Sequence, residues 1–101
     1  MGELMKECEN IEEIRENIDI IDREIVKLLS KRSYFVKEAA KFKKNVQDVE
    51  APKRVEEVIQ KVRSLATEYG VPPDIVENIY RTMIQNFIDY EMDHHSKQTL
   101  K

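Results

Sequence analysis

Apolar positions between residues 11 and 44 recur in steps of three and four, and no glycine or proline interrupts them. This heptad spacing is typical of a long α-helix with one apolar stripe, and it predicts a helix over residues 11–44. Asn10 suits the N-cap of this helix, with Glu13 at capping-box spacing. The stripe, called the seam below, comprises Ile11, Ile14, Ile18, Ile21, Ile25, Leu28, Phe35, Ala39 and Phe42.

Two further helices are predicted beyond residues 45–51, which show no periodicity and are interpreted as a loop. Pro52 suits the first turn of the second helix, and Gly70 suits the position just after its end. The third helix begins at Pro73, and its apolar stripe continues to Glu91. The apolar faces comprise Val55, Val58, Ile59, Val62, Leu65 and Ala66 in the second helix, and Val76, Ile79, Tyr80, Met83, Ile84, Phe87 and Ile88 in the third.

The first predicted helix is too long for a compact chain of this size. Its residues at ~1.5 Å each span roughly 50 Å. A compact domain of about 100 residues is only about 35 Å across. Part of the seam would therefore face water unless another chain covered it, so we expect a homodimer in which the long helices pair.

Composition narrows the class of protein. The 101 residues allow one domain with a modest core, and 37% charged residues with only two glycines favour an all-α fold. We predict three helices per chain in a single domain over residues 8–95, with loose termini at residues 1–7 and 96–101.

The net charge of -3 argues against nucleic-acid or anionic-membrane partners. The single Cys8 and the absence of a long apolar run predict a cytoplasmic protein.

Arg32 interrupts the seam where an apolar residue is expected. A buried cation is costly unless an anion pairs with it, so this arginine either extends to the surface or binds an anion. Lys43 follows eleven residues later. On a continuous helix these two positions lie on nearly the same face, about 16 Å apart along the axis. Two such cations could flank a small dianion.

Three other positions carry possible chemistry. Arg15 precedes Lys43 by four heptads, roughly 42 Å along one helix, so the partner in an antiparallel dimer would have to bring it to the same site. The alternative is a surface arginine among neighbouring glutamates. Glu91 either lies in the last turn of its helix, exposed to solvent, or is a functional acid in a pocket. His94 and His95 are adjacent and lack the spacing of helical metal ligands, so we predict no metal site.

The order of these residues resembles the all-helical chorismate mutases. The match is closest to the isochorismate-pyruvate lyase branch of salicylate and siderophore synthesis, which shares Ala51-Pro52-x-Arg54-Val55. It covers about residues 8–95 and implies an intertwined dimer with two equivalent active sites. The motifs of the first helix that carry the resemblance are Ile14-Arg15-Glu16-x-Ile18-Asp19-x-Ile21-Asp22, Lys31-Arg32 and Ala39-Ala40-Lys41-Phe42-Lys43.

The resemblance implies a role for each candidate residue. Arg15 of the partner subunit, Arg32 and Lys43 match the cations that bind the dianionic substrate, chorismate or isochorismate. Glu91 stands where most relatives have glutamine, and the resemblance places it with Lys43 as catalytic. The implied reaction is the isomerisation of chorismate to prephenate, a pericyclic step that needs no nucleophile, metal or cofactor.

Two alternatives to a mutase remain open. Lys53-Arg54 occupies the place where typical mutases have an Arg-Glu pair, and the missing carboxylate favours the lyase, which gives salicylate and pyruvate from isochorismate. A non-catalytic helical dimerisation module would keep the same fold.

Overall fold

The computed structural model describes residues 7–99, with side chains through residue 93. Four helices occur in this part of the chain: α1 (Ile11–Ala40), α2 (Val46–Glu50), α3 (Pro52–Tyr69) and α4 (Pro73–Thr99). The all-α prediction with three long helices is confirmed, and the five-residue α2 is an addition. The described chain forms two compact units, one containing α1 up to Ala39 and one from Ala40 onwards. The single domain over residues 8–95 and the dimer stay predictions.

The beginning of α1 is capped as the sequence predicts. The Glu13 N–H donates to the Asn10 side-chain oxygen at 2.8 Å, and the Glu13 carboxylate accepts from the Glu9 N–H at 3.1 Å. All residues of α1 are described, and none of them is buried. On the seam, Ile25 is 48% exposed and Phe35 is 67% exposed. The predicted apolar stripe is therefore present on α1 and accessible in the single chain.

The end of α1 differs from the prediction. The helix stops at Ala40, and a turn closes behind it when the Lys43 N–H donates to the Ala40 carbonyl at 3.2 Å. Lys43 is thus outside the helix. The interpretation that put it on the same helical face as Arg32, and four heptads from Arg15 on one helix, is wrong.

Residues 46–50, interpreted as part of a loop, form α2. Asn45 has extended backbone angles (φ -154°, ψ 176°), and its side chain accepts from the Asp48 N–H at 2.9 Å. The Asp48 carboxylate accepts in turn from the Lys44 N–H at 3.0 Å. These side chain–backbone bonds compete with continuation of α1. Burial of Val49, which is 6% exposed, further stabilises α2.

Helices α3 and α4 pack against each other, and their contact forms the core of the second unit. Ile59, Val62, Ala66 and Ile84 are buried there, as the predicted faces require. Leu65 and Ile79 were predicted on the apolar faces but are exposed, because they lie at the edges of their apolar stripes.

The end of α4 lies further along the chain than expected. The helix continues to Thr99, into residues 96–101 where a loose terminus was expected, and no glycine or proline stops it. Of the predicted loose termini, residues 1–6 and 100–101 lie outside the described residues. None of the helices in the described part of the chain has the length and apolar character needed to cross a membrane.

A network of ion pairs joins α3 to α4. Arg81 donates to both carboxylate oxygens of Glu56, at 2.8 and 2.9 Å, and to Glu77 at 2.6 Å. Arg63 donates to Glu77 at 2.6 Å and to Asp74 at 2.9 Å. The hydrogen bond from Arg81 lowers the pKa of Glu56, and hydrogen bonds from Arg81 and then Arg63 lower the pKa of Glu77.

The network predicts a loss of stability in acid. Carboxylates with a lowered pKa stabilise the fold above the unfolded pKa of about 4.3, and this contribution disappears as the pH falls through the folded value. The melting temperature should therefore decrease from about pH 5 downwards. Circular dichroism melts should show a shallower decrease for Glu56→Gln. An identical pH dependence in that variant would remove the network as a cause.

Gly70 ends α3 with a backbone conformation that favours glycine. Its φ of 79° is left-handed, and the Val71 N–H closes the helix end on the Ala66 carbonyl at 2.8 Å. No atom lies within 4 Å of the position a Cβ would take. Gly70→Ala should therefore destabilise through the backbone alone, by about 1 kcal/mol, and lower the melting temperature by roughly 4–8 °C. Glu68→Ala, at an exposed helical position, is the matched control and should leave the melting temperature nearly unchanged.

Candidate active site

Two of the predicted site residues meet in the second unit. The Lys43 Nζ lies 3.2 Å from Oε2 and 3.4 Å from Oε1 of Glu91, although 48 positions separate the residues in the sequence. The side chain of Lys43 is 22% exposed and that of Glu91 is 10% exposed. Because both groups are largely sheltered from water, their interaction is less screened than that of a surface pair.

Glu91 owes its sheltered position to α4. It continues the helical stripe that contains buried Ile84 and half-buried Phe87 and Ile88. Ile84 belongs to the core between α3 and α4, so the carboxylate lies at the end of that apolar core. Glu91 is therefore not in an exposed last turn, which was one of its two interpretations.

Lys43 reaches Glu91 from a turn rather than from a helix. Its own N–H donates to the Ala40 carbonyl, and the N–H of the next residue, Lys44, donates to Asp48. The backbone is thus hydrogen-bonded on both sides of the lysine. Sequence reasoning missed Asp48, although the Asn45-x-x-Asp48 spacing is a capping signal that could have revealed it.

The two arginines of the predicted site lie on α1. Arg32 is half-buried and Arg15 is exposed. Of the four candidates Arg15, Arg32, Lys43 and Glu91, the contacts described in the second unit join Lys43 and Glu91. The roles of Arg15 and Arg32 in substrate binding stay predictions.

The first turn of α3 contains the cations that replace the usual Arg-Glu pair. Lys53 and Arg54 are both exposed, and Arg54 lies 3.8 Å from Glu57 in a pair whose side chains are each 61% exposed. No acidic residue lies in this turn, so both cations face the positive end of the helix dipole. The first turn of α3 thus lacks the carboxylate that the resemblance implies for a typical mutase.

The chemistry available at Lys43 and Glu91 is hydrogen bonding and charge stabilisation. The lysine ammonium can donate to an oxygen that gains negative charge, whereas a glutamate can do so only when protonated. Among the side chains described, no three His, Cys, Asp or Glu residues come together to hold a metal ion. The side chains of His94 and His95 lie outside the described residues.

Comparison with known proteins identifies the family. The family model for chorismate mutase type II matches residues 14–92. Isochorismate pyruvate lyase from Pseudomonas aeruginosa is 34% identical over 83 residues, which cover 82% of each chain. Chorismate mutase from Methanocaldococcus jannaschii is 30% identical over 79 residues, covering 77% of this chain and 80% of the relative. The bifunctional chorismate mutase/prephenate dehydratase of Aquifex aeolicus is 32% identical over 87 residues, which cover 82% of this chain and 24% of that longer relative. The resemblance seen in the sequence motifs is confirmed, and the chain belongs to the chorismate mutase type II family.

Proposed function

We propose that this chain is a chorismate mutase, an isomerase that rearranges chorismate to prephenate. The observation that carries the proposal is the contact of Lys43 with Glu91 at 3.2 Å. It lies in a chain whose family match covers residues 14–92. These are the two residues to which the resemblance assigns the chemical step.

The reaction is one concerted rearrangement. The ether C–O bond between the enolpyruvyl group and the ring breaks while a C–C bond forms between the enolpyruvyl methylene carbon and the ring, so no atom is gained or lost. Negative charge develops on the ether oxygen as its bond breaks. A hydrogen bond from Lys43 to that oxygen is stronger in the transition state than in the bound substrate, and so it lowers the barrier.

Two arginines supply the binding energy in this proposal. Arg32 contacts one substrate carboxylate, and Arg15 of the partner subunit contacts the other. A guanidinium suits this role because it can form two parallel hydrogen bonds with a carboxylate. Holding both carboxylates keeps the flexible dianion in the compact conformer that reacts. The local cations therefore bind an anion in a chain whose net charge is -3.

A homodimer is part of the proposal and is supported by the exposed seam of α1. Ile11, Ile18 and Ile25 are each nearly half exposed in the single chain. Contiguous apolar surface of this kind is typical of a protein interface. Light scattering after size exclusion should give about twice the 12.0 kDa mass of one chain. A monomer at micromolar concentration would contradict both the dimer and the shared site.

The lyase reaction is the second candidate. It is favoured by the 34% identity to a relative named isochorismate pyruvate lyase and by Lys53-Arg54 at the start of α3. The same arginines could hold isochorismate. Its ether C–O bond breaks as a ring hydrogen moves to the enolpyruvyl methylene carbon, which gives pyruvate and the aromatic ring of salicylate. A non-catalytic helical module is the third candidate.

One experiment separates these candidates. The purified chain is incubated with chorismate and, separately, with isochorismate. Loss of chorismate ultraviolet absorbance reports the mutase, and salicylate fluorescence reports the lyase. We expect chorismate to be consumed. Salicylate formation alone would make the chain a lyase, and silence with both substrates would favour the non-catalytic module.

Mixing two inactive variants tests whether Arg15 acts in the partner's site. Arg15→Ala and Lys43→Ala chains are mixed and allowed to exchange subunits. Each mixed dimer would carry one site with both lesions and one site with neither, so activity should recover to about a quarter of the wild-type value at random pairing.

Lys43→Ala mixed with Arg32→Ala is the matched control for that experiment. In the proposal, Lys43 and Arg32 reach a site from the same chain, and both variants are expected to be inactive. Mixed dimers should then contain no intact site, and activity should not recover. If the Arg15→Ala mixture also fails to recover after confirmed subunit exchange, Arg15 does not cross the interface.

A further inference from the structure

The position of Lys43 depends on few backbone contacts because the lysine lies outside α1. A lysine side chain has a long flexible stem, and restricting it costs conformational entropy. Inside a helix, neighbouring turns would fix the backbone from which that stem extends. Here residues 41–45 link α1 to α2, so another feature has to direct the ammonium towards Glu91.

The Asn45–Asp48 cap supplies that feature. Asp48 accepts from the N–H of Lys44, the residue that follows Lys43, at 3.0 Å. Asn45 accepts from the Asp48 N–H at 2.9 Å. The two side chains together form a close variant of the reciprocal capping box, which fixes the direction in which the chain enters a helix.

The cap is anchored to the element that carries Glu91. Val49, directly after Asp48, is 6% exposed, and α2 contacts α4. Ala51 at the end of α2 has φ 37° and donates its N–H to the Gln47 carbonyl at 2.8 Å. A non-glycine residue keeps a left-handed conformation only where its surroundings determine it. The short helix is thus held at both ends.

We propose that Asp48 is a positioning residue that acts on the reaction through Lys43. By holding the Lys44 N–H, it fixes the backbone from which the lysine reaches Glu91. Its catalytic consequence rests on the function proposed above, because Lys43 has to act on the substrate for its position to affect turnover. Without the Asp48 carboxylate, residues 41–45 gain alternative conformations, and Lys43 is correctly oriented in a smaller fraction of molecules.

Steady-state kinetics test this proposal with three variants. Asp48→Ala should lower kcat for chorismate about fivefold, the equivalent of one lost helix cap, with KM changed less than about twofold. Asp48→Asn keeps an oxygen acceptor of the same length and should restore most of the rate. Glu50→Ala removes a charge from an exposed position of the same short helix and should behave as wild type. Equal losses in the Asp48→Ala and Glu50→Ala variants would overturn the proposal.

A double variant shows whether Asp48 acts through Lys43. In a Lys43→Ala background, Asp48→Ala should cause no further loss of kcat, because the side chain it positions is already gone. A further fivefold loss in that background would mean that Asp48 affects the site by another route, and would overturn the proposal.

A stability measurement tests the positioning even if the proposed activity fails. In the wild type, the melting-temperature changes of Lys43→Met and Glu91→Gln should be non-additive, because the two side chains contact each other. In an Asp48→Ala background they should become nearly additive. The same non-additivity with and without Asp48 would overturn the positioning role. Absence of turnover in the wild type would overturn only the proposed function.

Discussion

Arg32→Ala is expected to remove nearly all turnover. Truncating one side of a sheltered charge pair costs about 2–5 kcal/mol, so kcat/KM for chorismate should fall roughly 30- to 5,000-fold. The physical reason is that a planar guanidinium can hold a substrate carboxylate through two parallel hydrogen bonds. Arg32 is half-buried on α1, a helix with no fully buried residue, and it stands in the apolar seam.

Two matched variants make the result specific to Arg32. Arg32→Lys keeps the charge but loses the bidentate geometry, so it should recover only part of the activity. Arg23→Ala removes an exposed arginine from the same helix and should leave kcat/KM unchanged. Thermal melts and light scattering follow each variant. If Arg32→Ala loses activity only in proportion to lost dimer or folded protein, the arginine is structural.

Glu91→Gln is expected to raise activity at neutral pH. An ionised Glu91 beside Lys43 would repel the negative charge that develops on the ether oxygen, whereas a protonated one could donate a hydrogen bond to it. Glutamine donates a hydrogen bond without needing an added proton, so the variant should show a rate about tenfold higher at neutrality, the equivalent of one modest hydrogen bond.

The measurement is kcat/KM for both forms at neutral pH. Asp89→Asn is the matched control, because it neutralises an exposed acid two residues earlier on α4. The control should keep the wild-type kcat/KM. A Glu91→Gln variant with unchanged or lower kcat/KM would contradict a repulsive effect of Glu91 in the chemical step.

Local signals predicted most of the helical architecture. Asn10 and Glu13 cap α1 as expected, Pro52 begins α3, and Gly70 ends it with a left-handed φ. These features follow from the hydrogen bonds and backbone angles of neighbouring residues. The end of α1 could not be predicted from periodicity, because the apolar spacing of the seam continues in the sequence to Phe42. Competition from the α2 cap and the burial of Val49 decided where the helix stops.

The site could be predicted only through the resemblance. Lys43 and Glu91 are 48 residues apart, and no spacing rule brings such a pair together. Helical phase placed Lys43 on a face that it does not occupy, since the lysine lies in a turn. The structure nevertheless brings Lys43 into contact with Glu91, and these are two positions that the resemblance matched by their order along the chain. In our proposal, Arg15 acts in the site of the partner subunit and Arg32 acts on the substrate. The contacts within one chain therefore cannot reveal the role of either arginine.

Turnover of chorismate by the wild type, Lys43→Ala and Lys44→Ala tests the central claim most directly. We predict that the wild type forms one prephenate for each chorismate consumed. Lys43→Ala should lower kcat by about 10²–10³, the effect of removing one donor to a developing oxyanion. Lys44→Ala removes the exposed neighbouring lysine and should keep the wild-type rate. No loss of chorismate with the wild type, or equal losses of rate in the two lysine variants, would contradict a mutase in which Lys43 stabilises the transition state.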